Sequence, residues 1–215
     1  TITRMQRDPE TTEVNREVGS EVAIRDGARA LILPTIAEIG GRVRITAEVI
    51  DPQTQTTVYS ETADGIGKES ILPSLDTIND RLRVRLGEAL ATVSENSMPL
   101  QKVATKNLDA LRAYSLGTKS YTLAKFEEAI VLFKQALDLD PEFAAIHVRM
   151  GSIYASTGES DKATEAFESA LSKRDRLTPR DALYAEVMMA SIRAEPDVFA
   201  KWAALSDRYP DYFPG

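Results

Sequence analysis

Three kinds of hydrophobic spacing follow one another along this chain. Near the start, Val14, Val18 and Val22 recur at every fourth position before Asp26-Gly27, the narrow apolar stripe of an amphipathic helix. Thr11 or Thr12 is placed to cap that helix, with Glu13 and Glu17 near its positive end. Ala30-Leu31-Ile32-Leu33 is a continuous apolar run that reads as a buried strand, extended or restarted by Thr35–Ile39 after Pro34. Gly40-Gly41 is a hairpin turn. From Arg42 to Asp51 the pattern alternates: Val43, Ile45, Ala47 and Val49 face one way, Arg42, Arg44, Thr46 and Glu48 the other. A turn-rich loop, Asp51–Gln55, leads to a β-rich run, Thr56–Thr62. From Ser70 the period becomes helical, with Leu72, Leu75, Ile78, Leu82, Leu86, Leu90 and Val93 on one face of a helix of about six turns. A helix, a three-stranded antiparallel meander and a closing helix make a small α+β layer.

The third spacing is longer. Leu116 and Met150, Gly117 and Gly151, Ala129 and Ala163, Phe133 and Phe167, and Ala136 and Ala170 each stand 34 positions apart. A fixed period of this length marks one supersecondary unit stacked on its copy. Each copy has a helical run up to its Gly, a short break and a second helical run; in the first copy the second run ends at Asp140-Pro141. Beyond Leu171 the period decays. Thr178-Pro179 starts a helix through Arg180–Ile192, and Glu195-Pro196 begins another over Asp197–Tyr209. That pair reads as a third, degenerate repeat or as an end cap, which a stack needs where its last face would be bare.

The two copies resemble the tetratricopeptide repeat. Copy one supplies Leu116-Gly117, Tyr121, Phe126, Ala129, Phe133, Ala136 and Pro141; copy two supplies Met150-Gly151, Tyr154, Gly158, Ala163, Phe167 and Ala170. Copy two departs at Asp175, where the closing Pro belongs, and copy one has Ser120 where a large aromatic is common. The first part resembles the amino-terminal domain of the TolB protein, which precedes such repeats in bacterial multi-domain regulators. Gly41–Asp51, Val58-Tyr59-Ser60-Glu61 and Leu86-Gly87-Glu88-Ala89-Leu90 carry that resemblance, and Thr105–Leu111 with Tyr114 and Gly117 looks like the usual lead-in to the repeats. In that family another strand precedes the first helix; none is found in Thr1–Glu10, which fits truncation. The expected architecture is an α+β amino-terminal layer, a small antiparallel sheet with flanking helices, followed by an all-α helical-repeat superhelix. The expected divisions are 1–94 for the layer, 95–107 for a linker, and 108–215 for the repeats, with copies at 110–143, 144–177 and 178–212.

Composition narrows the chemistry. The net charge of −7 argues against broad nucleic-acid affinity, and no run is long enough to cross a bilayer. With no Cys and one His, thiolate catalysis, Cys–His pairs and Cys- or His-rich zinc sites drop out. His147 falls where the repeat packs and reads as a packed or half-buried side chain. Gly65-Ile66-Gly67-Lys68 hints at a phosphate loop, but Thr62 replaces the first Gly and Glu69 follows the Lys, so it reads as a surface turn. Glu127-Glu128 and Asp138 with Asp140 read as solvated charges. Arg42, Arg44, Arg81, Arg83 and Arg85 form the one local basic cluster noted, a solvated face or an anion patch. No nucleophile, base and oxyanion donor assemble, so this chain is expected to be non-catalytic, without cofactor or metal.

Binding is what remains. The resemblance implies that first helices line a concave surface where a protein or peptide partner lies. Register places Leu111, Tyr114, Ser115, Thr118, Tyr121 and Thr122 of copy one there, with Val148, Arg149, Ser152, Ala155 and Ser156 of copy two. Tyr114 and Thr118 occupy positions where the carboxylate-gripping subset of the family uses Lys and Asn. Three readings follow: a non-catalytic sensory or interaction arm of a bacterial signalling protein such as a nucleotide cyclase; a freestanding scaffold; or a small-ligand or nucleotide site on the α+β layer. Compartment stays open between the cytoplasm and the outer side of a membrane-anchored regulator.

Overall fold

Asn15, rather than Thr11 or Thr12, caps the first helix. Its Oδ1 accepts from the Val18 N–H at 3.0 Å, and α1 runs over Arg16–Arg25. Val14 therefore precedes the first turn and is exposed; the buried face is Val18, Gly19, Ser20 and Ala23. The computed structural model describes residues 14–87 and 98–210. Thr11, Thr12, the search for an earlier strand in Thr1–Glu10, and Leu90 and Val93 of the expected long helix all lie outside the described residues. The chain divides into two units, Thr1–Ser97 and Met98–Gly215.

In the first unit, β1 (Leu31–Ile39), β2 (Arg42–Asp51) and β3 (Thr56–Ile66) form an antiparallel sheet in the order β1-β2-β3. Gly40 and Gly41 both take positive φ, 59° and 76°, as a two-residue hairpin turn requires. The alternation over β2 is realised: Val43, Ile45, Ala47 and Val49 are buried, Arg42 and Arg44 exposed. The expectation of a buried first strand is corrected. β1 is one continuous edge strand through Pro34 and is largely exposed, with Ile36 57% and Ile39 80% accessible. The reason is position: α2 packs on β2 and β3 and leaves Ile32 and Ile36 uncovered on its face, while Ile39, paired with Arg42, sits on the other face at the hairpin end. Pro34 is tolerated because, counting back from the Ile39–Arg42 pair that closes the hairpin, its missing N–H falls on the open edge. That gap also blunts the edge against a further strand.

β3 runs four residues past the expected Thr62. Gly65-Ile66 ends it, and a 3-10 turn, Lys68–Ser70, leads into α2 (Ile71–Arg85), so the phosphate-loop look-alike is a strand-to-helix turn. The described helix is shorter than six turns. It stops at Arg85, Leu86 lies past its end, and Leu86 is exposed. Leu72, Ile78 and Leu82 are buried as expected, the last two against the β2 core. On the opposite face, Arg16 fastens α1 to the sheet through Glu48 (2.9 Å), the Gln55 carbonyl (3.0 Å) and Thr57 Oγ1 (3.1 Å).

The second unit begins within the stretch expected to be linker. A short helix, α3 (Leu100–Val103), precedes Thr105, which is fully buried. Its hydroxyl donates to Asp140 Oδ2 at 2.5 Å and accepts from the Asn107 N–H at 3.0 Å. Asp140, expected to be a solvated charge, is thus half-buried and fastens the lead-in to the end of the first repeat. Asn107 caps α4 through the Asp109 and Ala110 N–H groups.

Helical pairs then follow: α4 (Leu108–Thr122) with α5 (Phe126–Leu139), α6 (Ala144–Ser156) with α7 (Ser160–Ser172), and α8 (Pro179–Ile192) with α9 (Val198–Arg208). Thr178 caps α8, its Oγ1 accepting from Asp181 N–H, with Pro179 in the first turn. Phe133 and Phe167, Ala129 and Ala163, and Ala136 and Ala170 are all fully buried between their helices.

Each first helix ends on a left-handed residue: Ala124 (φ 56°), Gly158 (φ 80°) and Ala194 (φ 51°). Only the middle one is the residue type that adopts this conformation without a Cβ penalty. Ala124→Gly is therefore expected to raise the unfolding free energy by about 0.5–1 kcal/mol. Gly158→Ala should lower it by a similar amount. Paired urea titrations at 222 nm check both.

Candidate functional site

The first helices α4, α6 and α8 bring one polar and aromatic cluster together. The Arg149 guanidinium lies over the Tyr121 ring, 5.7 Å from its centroid. Ser152 Oγ gives its proton to the Val148 carbonyl (3.0 Å) and accepts from the Tyr184 hydroxyl at 3.1 Å. Burial pushes the Tyr184 phenol up, opposed by its hydrogen bond to Ser152, while the charges of Tyr121 and Arg149 also reach it. Helical spacing accounts for this: Tyr121 ends α4, Arg149 and Ser152 share a face of α6, and Tyr184 sits mid-α8. Tyr184 in turn stacks edge-on against Phe167 and Trp202, each at 6.3 Å, which locks its ring.

Among the residues expected on the partner-facing surface, Ser115, Thr122 and Ser156 are exposed, and Leu111, Thr118, Tyr121, Arg149 and Ala155 are half-buried. Tyr114, Val148 and Ser152 turn into the packing. Tyr114 lies 4.7 Å from the Phe143 ring and 5.8 Å from Phe133, while Val148 and Ser152 are 5% and 8% accessible. Tyr184 was not among the expected residues. It stands 34 beyond Met150, a packing position, so register alone directs attention away from it.

His147 is half-buried, as its place in the repeat implied; burial chiefly, and then Lys173, hold its pKa below the ordinary value, with Glu142 opposing. Lys173 and Glu142 pair with each other at 2.5 Å.

The arginines of the first unit do not gather around one point. Arg44 makes a two-pronged pair with Asp64 (2.7 and 2.8 Å), its partner across the β2–β3 ladder. This pairing lowers the Asp64 carboxyl and raises Arg44. Arg81 donates to the Thr62 carbonyl at 2.9 Å. Arg85 pairs with the largely buried Glu61 at 2.7 Å and lies over the Tyr59 ring at 5.0 Å. Arg42 is exposed on β2, and Arg83, half-buried on α2, is also engaged.

Residues 123–191 match the tetratricopeptide repeat. The match runs from the end of α4 to the end of α8, so it includes the first helix of the third pair. No curated protein and no solved structure matches the chain. The repeat points to protein–protein interaction. Among the described residues, no helix is long and apolar enough to cross a membrane.

Proposed function

We propose that this chain is a non-catalytic protein-binding arm of a larger bacterial signalling protein, with a nucleotide cyclase as the favoured output domain. The observation that supports the interaction reading is the half-buried Tyr121–Arg149 pair, which joins two successive first helices beside the buried Ser152–Tyr184 hydrogen bond to the third. Aromatic and Arg side chains held rigidly on a helical face are what dominates binding energy at protein interfaces. The output assignment rests on the resemblance of the first unit to the TolB amino-terminal domain. Partner binding would bias the arrangement of the attached domain by its differential affinity for two arrangements. Internal engagement of Arg44, Arg81 and Arg85 favours this reading over a nucleotide site on the α+β layer.

Native capture from the source cells with an antibody against this chain tests the proposal. Arg149→Glu is expected to lower partner recovery on the order of tenfold or more, with the far-UV spectrum and Tm unchanged within a few degrees. Equal recovery from wild type and variant removes the inner face from the reading. A captured product no larger than this chain removes the signalling arm and leaves a freestanding scaffold.

A further inference from the structure

We infer a second docking site in the repeat unit, a cleft that receives an acidic peptide segment carrying an apolar side chain. The inference rests on the protein-interaction reading but uses different residues. The cleft has a volume of about 660 Å³ and lies where α3, the 3-10 turn Arg174–Arg176, the start of α8 and the end of α9 meet. Apolar surface comes from Met98, Pro179 and Leu183, over the nearly inaccessible Leu177. Three cations and one carboxylate line it: Lys102, Arg174, Arg208 and Asp175.

Their engagements decide the ligand's sign. Arg174 is held by Glu186. Lys102 makes no ion pair among the described residues, and Arg208 lies over the Tyr209 ring at 5.8 Å. Two cations thus face a single carboxylate in a chain whose net charge is −7. The sequence marks this place. Lys173 to Arg180 holds four cations and one carboxylate, a second basic cluster that the spacing of apolar residues does not reveal. An apolar floor with a cationic rim suits a leucine-like side chain flanked by carboxylates. The volume suits a few peptide residues, within the range of about 300–1,000 Å³ typical of ligand sites. The cleft adjoins the start of α8 and the end of α9, so it is separate from the Tyr121–Arg149 cluster.

Fluorescence anisotropy on the intact chain tests this, with fluorescein-labelled Glu-Leu-Glu-Leu-Glu and Lys-Leu-Lys-Leu-Lys as probes. The acidic probe is expected to bind saturably below about 1 mM and to weaken with added salt. The double variant Lys102→Glu/Arg208→Glu should weaken it on the order of tenfold or more, Leu183→Asp similarly, and Arg149→Glu not at all. Equal binding of the basic probe, or no saturation by the acidic one, overturns the inference. So does a loss on Arg149→Glu as large as on the double variant, which would seat the probe on the inner face. Full displacement by equimolar inorganic phosphate overturns the peptide in favour of a small anion. Unchanged partner capture with Arg149→Glu, beside probe binding that follows Lys102 and Arg208, would remove the inner-face reading while leaving this site standing.

Discussion

Phe133→Ala is expected to lower the unfolding free energy of the repeat unit by about 3–5 kcal/mol, the range for deleting a fully buried aromatic ring. Phe133 has no accessible surface, sits against Gly117 of the paired helix, and lies 5.8 Å from the Tyr114 ring. Its removal leaves a void enclosed by helix backbone, which relaxes little because Ala129 and Ala136 on either side are already fully buried. Phe167→Ala should cost a similar amount, since that ring is as fully buried, lies against Gly151 and packs edge-on against Tyr184. A loss of this size is a large fraction of the stability of an ordinary domain. Urea unfolding at 222 nm measures it. A loss below about 1 kcal/mol for both variants would mean that neither ring carries the helix pair.

Gly117→Ala is the second large effect, and its sign is decided by space. A Cβ built on Gly117 falls 2.7 Å from two Phe133 ring carbons and 3.3 Å from the Ala129 carbonyl oxygen. In α6, a Cβ on Gly151 meets the Phe167 ring at 2.8 Å. Neither ring has accessible surface into which it might turn. Overpacking costs about 1–3 kcal/mol or more, whereas the gain in helix propensity from Gly to Ala is about 1 kcal/mol. The variant is therefore expected to lose stability overall. Combining it with Phe133→Leu should recover part of the loss, and the coupling in a double-mutant cycle reads the contact directly. The third pair supplies a natural contrast. Ala185 stands 34 beyond Gly151 and is fully buried with its methyl, on a helix whose partner α9 follows a longer loop than α7 and so leaves the 34-residue register.

The first unit shows where local pattern reaches its limit. Alternation over Arg42–Asp51 specified which residues of β2 are buried, because a two-residue period leaves one choice of face. The apolar run Leu31-Ile32-Leu33 carried no such information. A continuous run describes a strand covered on both faces, and whether α2 covers β1 depends on packing over the sheet, not on the strand. Ile36 is accessible for that reason, whereas Ile39 lies on the other face at the hairpin end, paired with Arg42. Spacing alone does not fix the start of α1, because Thr11, Thr12 and Asn15 are all competent cap residues, and it is the Asn15 side chain that accepts from the Val18 N–H.

The candidate surface divides the same way. Register along first helices brought Tyr121, Arg149 and Ser152 to attention, and all three meet in one cluster. Register did not separate Tyr114 from Tyr121. Both are tyrosines on one helix, yet Tyr114 is packed between Phe133 and Phe143. Tyr184 stands at a packing position of the register, and although the run Lys173–Arg180 marks one side of the cleft, Lys102 and Arg208 reach it from segments far apart in sequence.

By itself, then, the sequence determined the helical pairs and their period, because Gly117 with Phe133 and Gly151 with Phe167 encode close helix approach within one unit of chain. It also determined the meander, through the Gly40-Gly41 turn and the alternation that follows. Only the tertiary structure decided which face of β1 is open, that Asp140 holds Thr105, and that Tyr114 packs against Phe143. Burial and charge pairing depend on what a second element brings to the same place, and that is not written in the spacing of either one.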